Sequence, residues 1–178
     1  MQGLRITFAV TRRLVHATNT TATLTQVWNV LRNLRSYTDW HPYVAIEGDA
    51  GLDEVLRIEL TAVPPGPGRL IIPARILLYS PPTQIGWRFG VPRLLWIDDR
   101  ITLSPLNTGT HIEHEVVFSG PLAGLVSRFG ARRAVAMLAR VNEALGNHIA
   151  KTLSERSAAR VLTGARRNRS RSGQGRRS

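Results

Sequence analysis

The chain has 178 residues, no cysteine and a formal net charge of +12. This length is enough for one domain with a substantial core and is short for two. Without cysteine, disulfides, thiolate metal sites and cysteine nucleophiles are excluded. The early apolar run Ile6–Val10 is too short for a signal peptide, and no apolar run is long enough to cross a membrane, so we predict a cytoplasmic protein.

The positive charge is concentrated at the C-terminal end. Six arginines lie between Arg166 and Arg177, interleaved with Ser, Gly, Asn and Gln, and no apolar residue follows Ala165. We therefore predict a single domain over 1–156 and a disordered basic tail over 157–178. Such a tail would make weak contacts with anionic surfaces, or would be a solvated end. No aromatic residue is present there to stack on bases, so no specific nucleic-acid partner is predicted.

The first predicted elements are a strand and a helix. Phe8–Thr18 alternates in the manner of a strand, with His16 on its more apolar face. Thr23 and Gln26 then match the capping-box pattern that satisfies free backbone donors at a helix start. The helix is predicted over Leu24–Leu34, with one apolar stripe that docks on a sheet.

A short helix or a pair of turns at Ser36–His41 precedes a series of strands. The predicted strands are Tyr43–Glu47, Leu52–Val63, Arg69–Tyr79, Ile85–Phe89, Leu94–Leu103 and Thr110–Ser119. In Leu52–Val63, the alternating apolar set that begins at Leu52 faces inward. Pro64–Gly68 forms the following hairpin loop. Arg69–Tyr79 is apolar on both sides, which predicts burial on both faces, or cover by a lid or partner, with a homodimer contact if this strand lies at an edge.

The longest amphipathic segment is Pro121–Arg156. Its apolar residues mostly recur three or four positions apart, which predicts one long helix, or two helices joined near Gly130. No other segment offers a comparable helical stripe, so this helix must pack on the sheet. A space left between helix and sheet would be the natural binding site.

Several stretches resemble the START-like, helix-grip (SRPBCC) superfamily, which includes polyketide cyclases and dehydrases and Bet v 1-like proteins. They are Val27–Leu31, Tyr37–Pro42, Gly109–Ile112 and Phe118–Leu122. Over roughly residues 8 to 155, the resemblance implies an α+β fold in which a curved antiparallel sheet of about seven strands wraps around the C-terminal helix (β-α-α-β6-α). It also implies a cavity for hydrophobic ligands such as lipids, polyketides, sterols or other aromatic compounds. The superfamily contains both enzymes and carriers.

Candidate ligand contacts are the large side chains on predicted inward faces. Trp40 and His41 are interpreted as a gate or ligand contact at the cavity mouth, or alternatively as a packing anchor. Trp87 and Phe89 would line the pocket or fill it. The full candidate set is Trp28, Trp40, His41, Leu56, Ile58, Ile76, Trp87, Phe89, Trp96, Ile112, Phe118, Leu138, Val141 and Leu145.

Two residues are candidates for catalysis. A period of two places His114 on the apolar, inward face of its strand, either as a general acid or base or as a buried histidine satisfied by a neighbour. Arg75, set among apolar residues, would anchor a carboxylate or enolate, or extend to the sheet edge. Asp98, Asp99 and Arg100 are interpreted as charges that are either matched with one another or, as the simpler account, exposed. The spacing of His111 and Glu113 does not demand a metal, and none is predicted.

The sequence favours binding of one hydrophobic small molecule, as carrier, sensor or chaperone for a reactive intermediate. The alternative is an enzyme of the polyketide cyclase or dehydrase type that acts in the same cavity. The sequence contains no Ser-His-Asp signature, phosphate loop or cofactor fingerprint, so no cofactor is predicted.

Overall fold

The computed structural model describes residues 11–61 and 69–174, and within the last helix it describes the side chains of 123–125, 132–155 and 158. In chain order the elements are β1 (Thr11–Thr20), α1 (Leu24–Leu31), a 3-10 helix (Leu34–Ser36), α2 (Tyr37–Trp40), β2 (Val44–Glu47), β3 (Val55–Leu60), β4 (Leu70–Ser80), β5 (Gln84–Val91), β6 (Leu95–Leu106), β7 (Gly109–Ser119) and α3 (Ala123–Gln174). The predicted residues Phe8–Val10 and the loop Pro64–Gly68 lie outside the described residues.

The strands form one antiparallel sheet in the order β1-β7-β6-β5-β4-β3-β2. Consecutive strands are neighbours from β2 to β7, and β1 closes the order by pairing with β7. Helix α3 packs on β1 and β7 and also contacts α1 and α2. The predicted α+β helix-grip fold, a curved seven-stranded sheet around a long C-terminal helix, is therefore confirmed.

The start of α1 follows the predicted capping box. The Gln26 backbone N–H donates to Thr23 Oγ1 (3.4 Å), and the Thr23 backbone N–H donates to Gln26 Oε1 (2.8 Å). The helix ends at Leu31, three residues earlier than predicted, because Asn33 leaves helical dihedral angles with φ −84° and ψ 76°. The chain then turns through the 3-10 helix into α2, so of the two predicted alternatives for this segment the structure has the short helix.

The loop before β3 departs from the predicted alternation. Leu52 was expected to face inward but is 60% exposed. Asp53 adopts a positive φ of 64°, so the chain is still turning there and β3 begins only at Val55. From that point the alternation holds, because Leu56 and Ile58 are both buried.

Strand β4 is not covered on both faces. Ala74 and Ile76 are buried, whereas Ile71 and Leu77 on the opposite face are exposed. The strand lies between β3 and β5, and the sheet edges are β1 and β2. The homodimer contact was predicted on the condition that this strand lies at a sheet edge, and β4 does not meet that condition.

Helix α3 is one continuous helix through Gly130, and it extends beyond the predicted domain end to Gln174. The backbone of residues 157–174 is helical, where a disordered tail was predicted. Alanine, leucine and arginine favour helix, and extending a preformed helix requires no new nucleation. At its other end, Leu125 of the predicted apolar stripe is exposed. Among the described residues, no helix is both long and apolar enough to cross a membrane.

Candidate ligand-binding cavity

A cavity of about 340 Å³ lies between the sheet and helix α3. Its wall is almost entirely apolar and is built from β1 to β7, except β4, together with α3 and the segment after α2. The described lining residues are Leu14, His41, Tyr43, Val44, Ile58, Leu60, Thr61, Trp87, Phe89, Ile97, Asp99, His114, Val116, Phe118, Arg133, Ala134, Met137, Leu138 and Val141. The predicted void between helix and sheet is thus present.

Half of the fourteen predicted ligand contacts line this cavity. They are His41, Ile58, Trp87, Phe89, Phe118, Leu138 and Val141. The others are not among its described lining residues: Trp28, Trp40, Leu56, Ile76, Ile112 and Leu145 are buried in the core, and Trp96 is half-buried. Alternation identifies an inward-facing side chain, but whether it meets a void or another side chain depends on packing across the layers.

His114 lies on β7 with its ring almost fully buried, as predicted from the alternation. Its Nε2 is 2.7 Å from Oδ1 of Asp99 on the neighbouring strand β6. Asp99 shares the inward face of β6 with Ile97 and Ile101, so the interpretation of Asp99 as an exposed charge was wrong. Asp98, on the outer face, is paired with Arg88.

The second ring nitrogen of His114 is held by helix α3. His114 Nδ1 lies 3.1 Å from Oδ1 of Asn142. Asn142 Nδ2 in turn lies 2.6 Å from Nδ1 of His16 and 3.4 Å from the His16 carbonyl oxygen. Because that carbonyl only accepts, the amide nitrogen of Asn142 must face His16, and its oxygen must accept from His114.

Both nitrogens of His114 therefore donate hydrogen bonds, as in an imidazolium. Burial lowers the pKa of His114, but the charge of Asp99 and the hydrogen bonds that His114 donates to Asp99 and Asn142 outweigh it, so the pKa is raised above its usual value of 6.5. The pair places one positive and one negative charge side by side at the cavity wall. Such a pair is nearly neutral when viewed from the rest of the cavity.

His41 follows α2 and has the opposite character. Its Nδ1 accepts the backbone N–H groups of Tyr43 (3.2 Å) and Val44 (3.1 Å), which fixes the neutral tautomer with hydrogen on Nε2. Burial lowers its pKa to about 4, and nearby His114 acts in the same direction, against the attraction of Asp99. His41 thus caps the start of β2 and presents a neutral N–H donor.

Tyr37 and Trp40 form an aromatic cluster that packs against the His41 ring. Tyr37 stacks on the His41 ring with centroids 5.9 Å apart, and its hydroxyl donates to the Leu31 carbonyl oxygen at 3.2 Å. Trp40 is buried 4.6 Å from the Tyr37 ring and does not belong to the described cavity lining. This location agrees with Trp40 as a packing anchor. Burial and the nearby Asp99 raise the pKa of Tyr37, so its hydroxyl stays protonated.

Arg75 lies away from the cavity. It is on the outer face of β4, its side chain is 58% exposed, and its guanidinium is 3.9 Å from the Asp53 carboxylate. The predicted role in anchoring a ligand charge is therefore not supported by its position. Arg133 of α3 is the guanidinium found among the described lining residues. Within the described part of the chain, no group of three or more His, Asp or Glu side chains is placed to hold a metal ion.

Comparison with known structures shows the same fold. Norcoclaurine synthase from Thalictrum flavum, in complex with dopamine and hydroxybenzaldehyde, has a TM-score of 0.61 at 17% identity, over 85% of this chain and 98% of that chain. Ara h 8.0201 has a TM-score of 0.57 at 14% identity, over 80% and 99%. The di-domain ARO/CYC BexL, from the BE-7585A biosynthetic pathway, has 0.62 at 15%, and the match covers 78% of this chain and half of that one.

At these identities the structural matches establish the fold alone. None of the curated proteins matches the chain by sequence. Residues 11–152 match the profile of a family described as "Polyketide cyclase / dehydrase and lipid transport". The predicted membership of the START-like superfamily, with its Bet v 1-like proteins, is confirmed. Because the matched segment covers most of the chain, the protein belongs to the polyketide cyclase/dehydrase and lipid transport family.

Proposed function

We propose that the protein binds one hydrophobic small molecule in the cavity between the sheet and α3, as a carrier or sensor. The observation that carries this proposal is the apolar wall, with side chains such as Trp87, Phe89 and Leu138 around unfilled space. Apolar side chains around a void gain free energy when a guest replaces water, at roughly 25 cal/mol per Å² of buried apolar surface. The volume of about 340 Å³ suits one small molecule.

Binding can be tested by placing a larger side chain in the cavity from helix α3. Ala134 lines the cavity, whereas its neighbour Val135 is exposed and is not part of the described lining. We expect Ala134→Trp to weaken binding of the neutral fluorescent probe N-phenyl-1-naphthylamine at least tenfold, because the indole occupies its space. Val135→Trp is the matched control and should bind as the unchanged protein does. Equal probe affinity in all three proteins would contradict the proposal.

The natural guest is sought separately. Purified full-length protein is extracted with organic solvent and the extract is analysed by mass spectrometry, in parallel with Ala134→Trp. A compound present with the unchanged protein and depleted with the variant would support a carrier or sensor. Identical extracts from both proteins would argue against a resident guest in this cavity.

The second candidate function is catalysis of the cyclase or dehydrase type, and the Asp99–His114 pair favours it. A carboxylate beside an apolar cavity is suited to take a proton from a carbon next to a ketone. The C–H bond would break, the proton would pass to Asp99, and the electron pair would move to the carbonyl oxygen. The His41 Nε2–H would donate to that developing oxyanion, and His114 would position Asp99.

Proton abstraction is measurable without knowing the natural substrate. 2-Tetralone, a bicyclic ketone, exchanges the hydrogens next to its carbonyl with D2O, and NMR follows the exchange. We expect the protein to accelerate this exchange, and Asp99→Leu to return it to the background rate while 2-tetralone still binds. Asp98→Leu, one residue away on the outer face, is the control. Exchange at the background rate with bound 2-tetralone would contradict the catalytic role.

A further inference from the structure

The apolar cavity contains two polar groups whose hydrogen-bonding capacity is only half used. His41 Nδ1 is occupied by two backbone N–H groups, and its Nε2–H has no partner among the described residues. One carboxylate oxygen of Asp99 binds His114, and its second oxygen is likewise without a partner in the described part of the chain. Both residues line the cavity. At these two residues the wall therefore offers one donor and one acceptor.

A guest that excludes water must satisfy these groups or leave them unpaired. An unpaired buried polar group is costly, and more so when it is charged. A hydroxyl group has one donor hydrogen and two acceptor lone pairs, so it matches both needs. A hydrocarbon matches neither of them, and an ether or ketone matches only the donor of His41.

We call the part of the wall formed by His41, Asp99 and His114 the polar corner of the cavity. Its charges decide between a neutral and an ionised guest. His114 already balances Asp99 through the hydrogen bond of 2.7 Å, and the tautomer of His41 is neutral. A guest carboxylate placed against Asp99 and His41 would bring a second negative charge beside Asp99, so its favourable partner in this cavity would be Arg133 on helix α3 and not these two residues. An ammonium would add a net positive charge to a cavity that Arg133 also lines. The corner is thus suited to a neutral polar group.

We propose that the guest of this cavity is an apolar molecule that bears a neutral hydroxyl group, which donates to the free oxygen of Asp99 and accepts from His41 Nε2–H. This inference rests on the proposed binding function and specifies the chemistry of its ligand. It separates alcohols and phenols, which the corner accepts, from fatty acids and other carboxylates, which it rejects.

The test is a series of four two-ring compounds titrated calorimetrically into the full-length protein at neutral pH. 2-Naphthol offers a donor and an acceptor, 2-methoxynaphthalene only an acceptor, 2-methylnaphthalene neither, and 2-naphthoate a negative charge. We expect 2-naphthol to bind roughly tenfold more tightly than 2-methoxynaphthalene, which corresponds to one hydrogen bond. 2-Methylnaphthalene should be weaker again, and 2-naphthoate at least tenfold weaker than 2-naphthol.

Variants identify the residues responsible. Asp99→Leu should remove the advantage of 2-naphthol over 2-methoxynaphthalene, and His41→Phe should remove that of 2-methoxynaphthalene over 2-methylnaphthalene. The controls are Asp98→Leu and His111→Phe, which change outer-face residues and should leave the series unchanged. Circular dichroism confirms folding, and the comparison of ligands on the unchanged protein stands even if a variant does not fold.

The outcomes separate this inference from the binding function itself. Equal affinities for 2-naphthol and 2-methylnaphthalene, or an affinity for 2-naphthoate that equals that for 2-naphthol, would overturn the hydroxyl anchor and leave hydrophobic binding intact. Absence of binding by all four compounds would overturn the proposed function, and the anchor with it. The expected order on the unchanged protein, lost in the two cavity variants and kept in the controls, supports both.

Discussion

The side-chain oxygen of Asn142 lies 3.1 Å from Nδ1 of His114 and ties helix α3 to the strand it faces. Asn142 is 3% exposed and sits in the middle of the apolar stripe of that helix. A polar residue at such a position is favourable only when its partners are in place. The contact therefore couples the packing of the helix to the orientation of the ring that holds Asp99.

Replacing Asn142 by leucine tests this coupling. The change removes the hydrogen bonds to His114 and His16 and leaves the buried His114 Nδ1–H unpaired. We expect the free energy of unfolding to fall by about 1–3 kcal/mol. Urea denaturation measures the loss, and Glu143→Gln, at the exposed neighbouring position, should change stability little. A variant as stable as the unchanged protein would contradict the structural role of the contact.

The raised pKa of His114 makes stability depend on pH. The folded state holds this proton more tightly than the unfolded state, whose pKa is near 6.5. The resulting stability is fully present below pH 6.5 and is lost as pH rises through the folded pKa, because over this window the unfolded chain has already released the proton that the folded protein must still hold. Thermal unfolding over this window should show the fall in the unchanged protein and a smaller one in Asp99→Leu. A flat profile would contradict the ion pair.

His41 predicts the opposite dependence on the acid side. Its pKa of about 4 lies below the usual 6.5, so between these values the unfolded chain binds a proton that the folded protein does not. Stability is therefore full above about pH 6.5 and falls as pH drops toward 4, by roughly 3 kcal/mol in all for a shift of this size. NMR titration of the His41 ring should show a neutral imidazole at pH 5. A ring that titrates near 6.5 would refute the prediction.

The sequence was sufficient to predict the fold and the inward position of His114. It was not sufficient to predict the polar residues Asp99 and Asn142 that hydrogen-bond to His114. Alternation along β7 placed His114 inward, and the same rule applied to β6 places Asp99 with Ile97 and Ile101. That signal was missed because Asp99 was grouped with its charged neighbours. Asn142 left a comparable signal, as a polar residue among the buried positions Leu138 to Leu145. The hydrogen bond between His114 and Asp99 depends on the register of two strands, which periodicity alone does not specify.

Other differences have a similar origin. Trp28 and Trp40 face inward as the sequence predicts, yet they fill the core and do not line the void, because packing across layers decides which inward residues meet empty space. Arg75 was singled out because its strand is apolar on both sides. Alternation places Arg75 on the opposite face of the strand from the buried residues Ala74 and Ile76. That exposed face of β4 also carries apolar residues, which made the strand look apolar on both sides.

Arg75→Ala gives a clear contrast with the cavity residues. Arg75 is largely exposed, and its contact with Asp53 is at the long end of the ion-pair range at 3.9 Å. Exposed pairs of this kind contribute about 0–1 kcal/mol, so we expect little change in the free energy of unfolding. Binding of N-phenyl-1-naphthylamine should also be unchanged. Phe118→Ala, by contrast, removes part of the cavity wall and enlarges the cavity. It should therefore alter probe affinity, since Phe118 lines the cavity. A loss of probe binding in Arg75→Ala with Phe118→Ala unaffected would move the binding site to the outer face of the sheet and would contradict the cavity as the binding site.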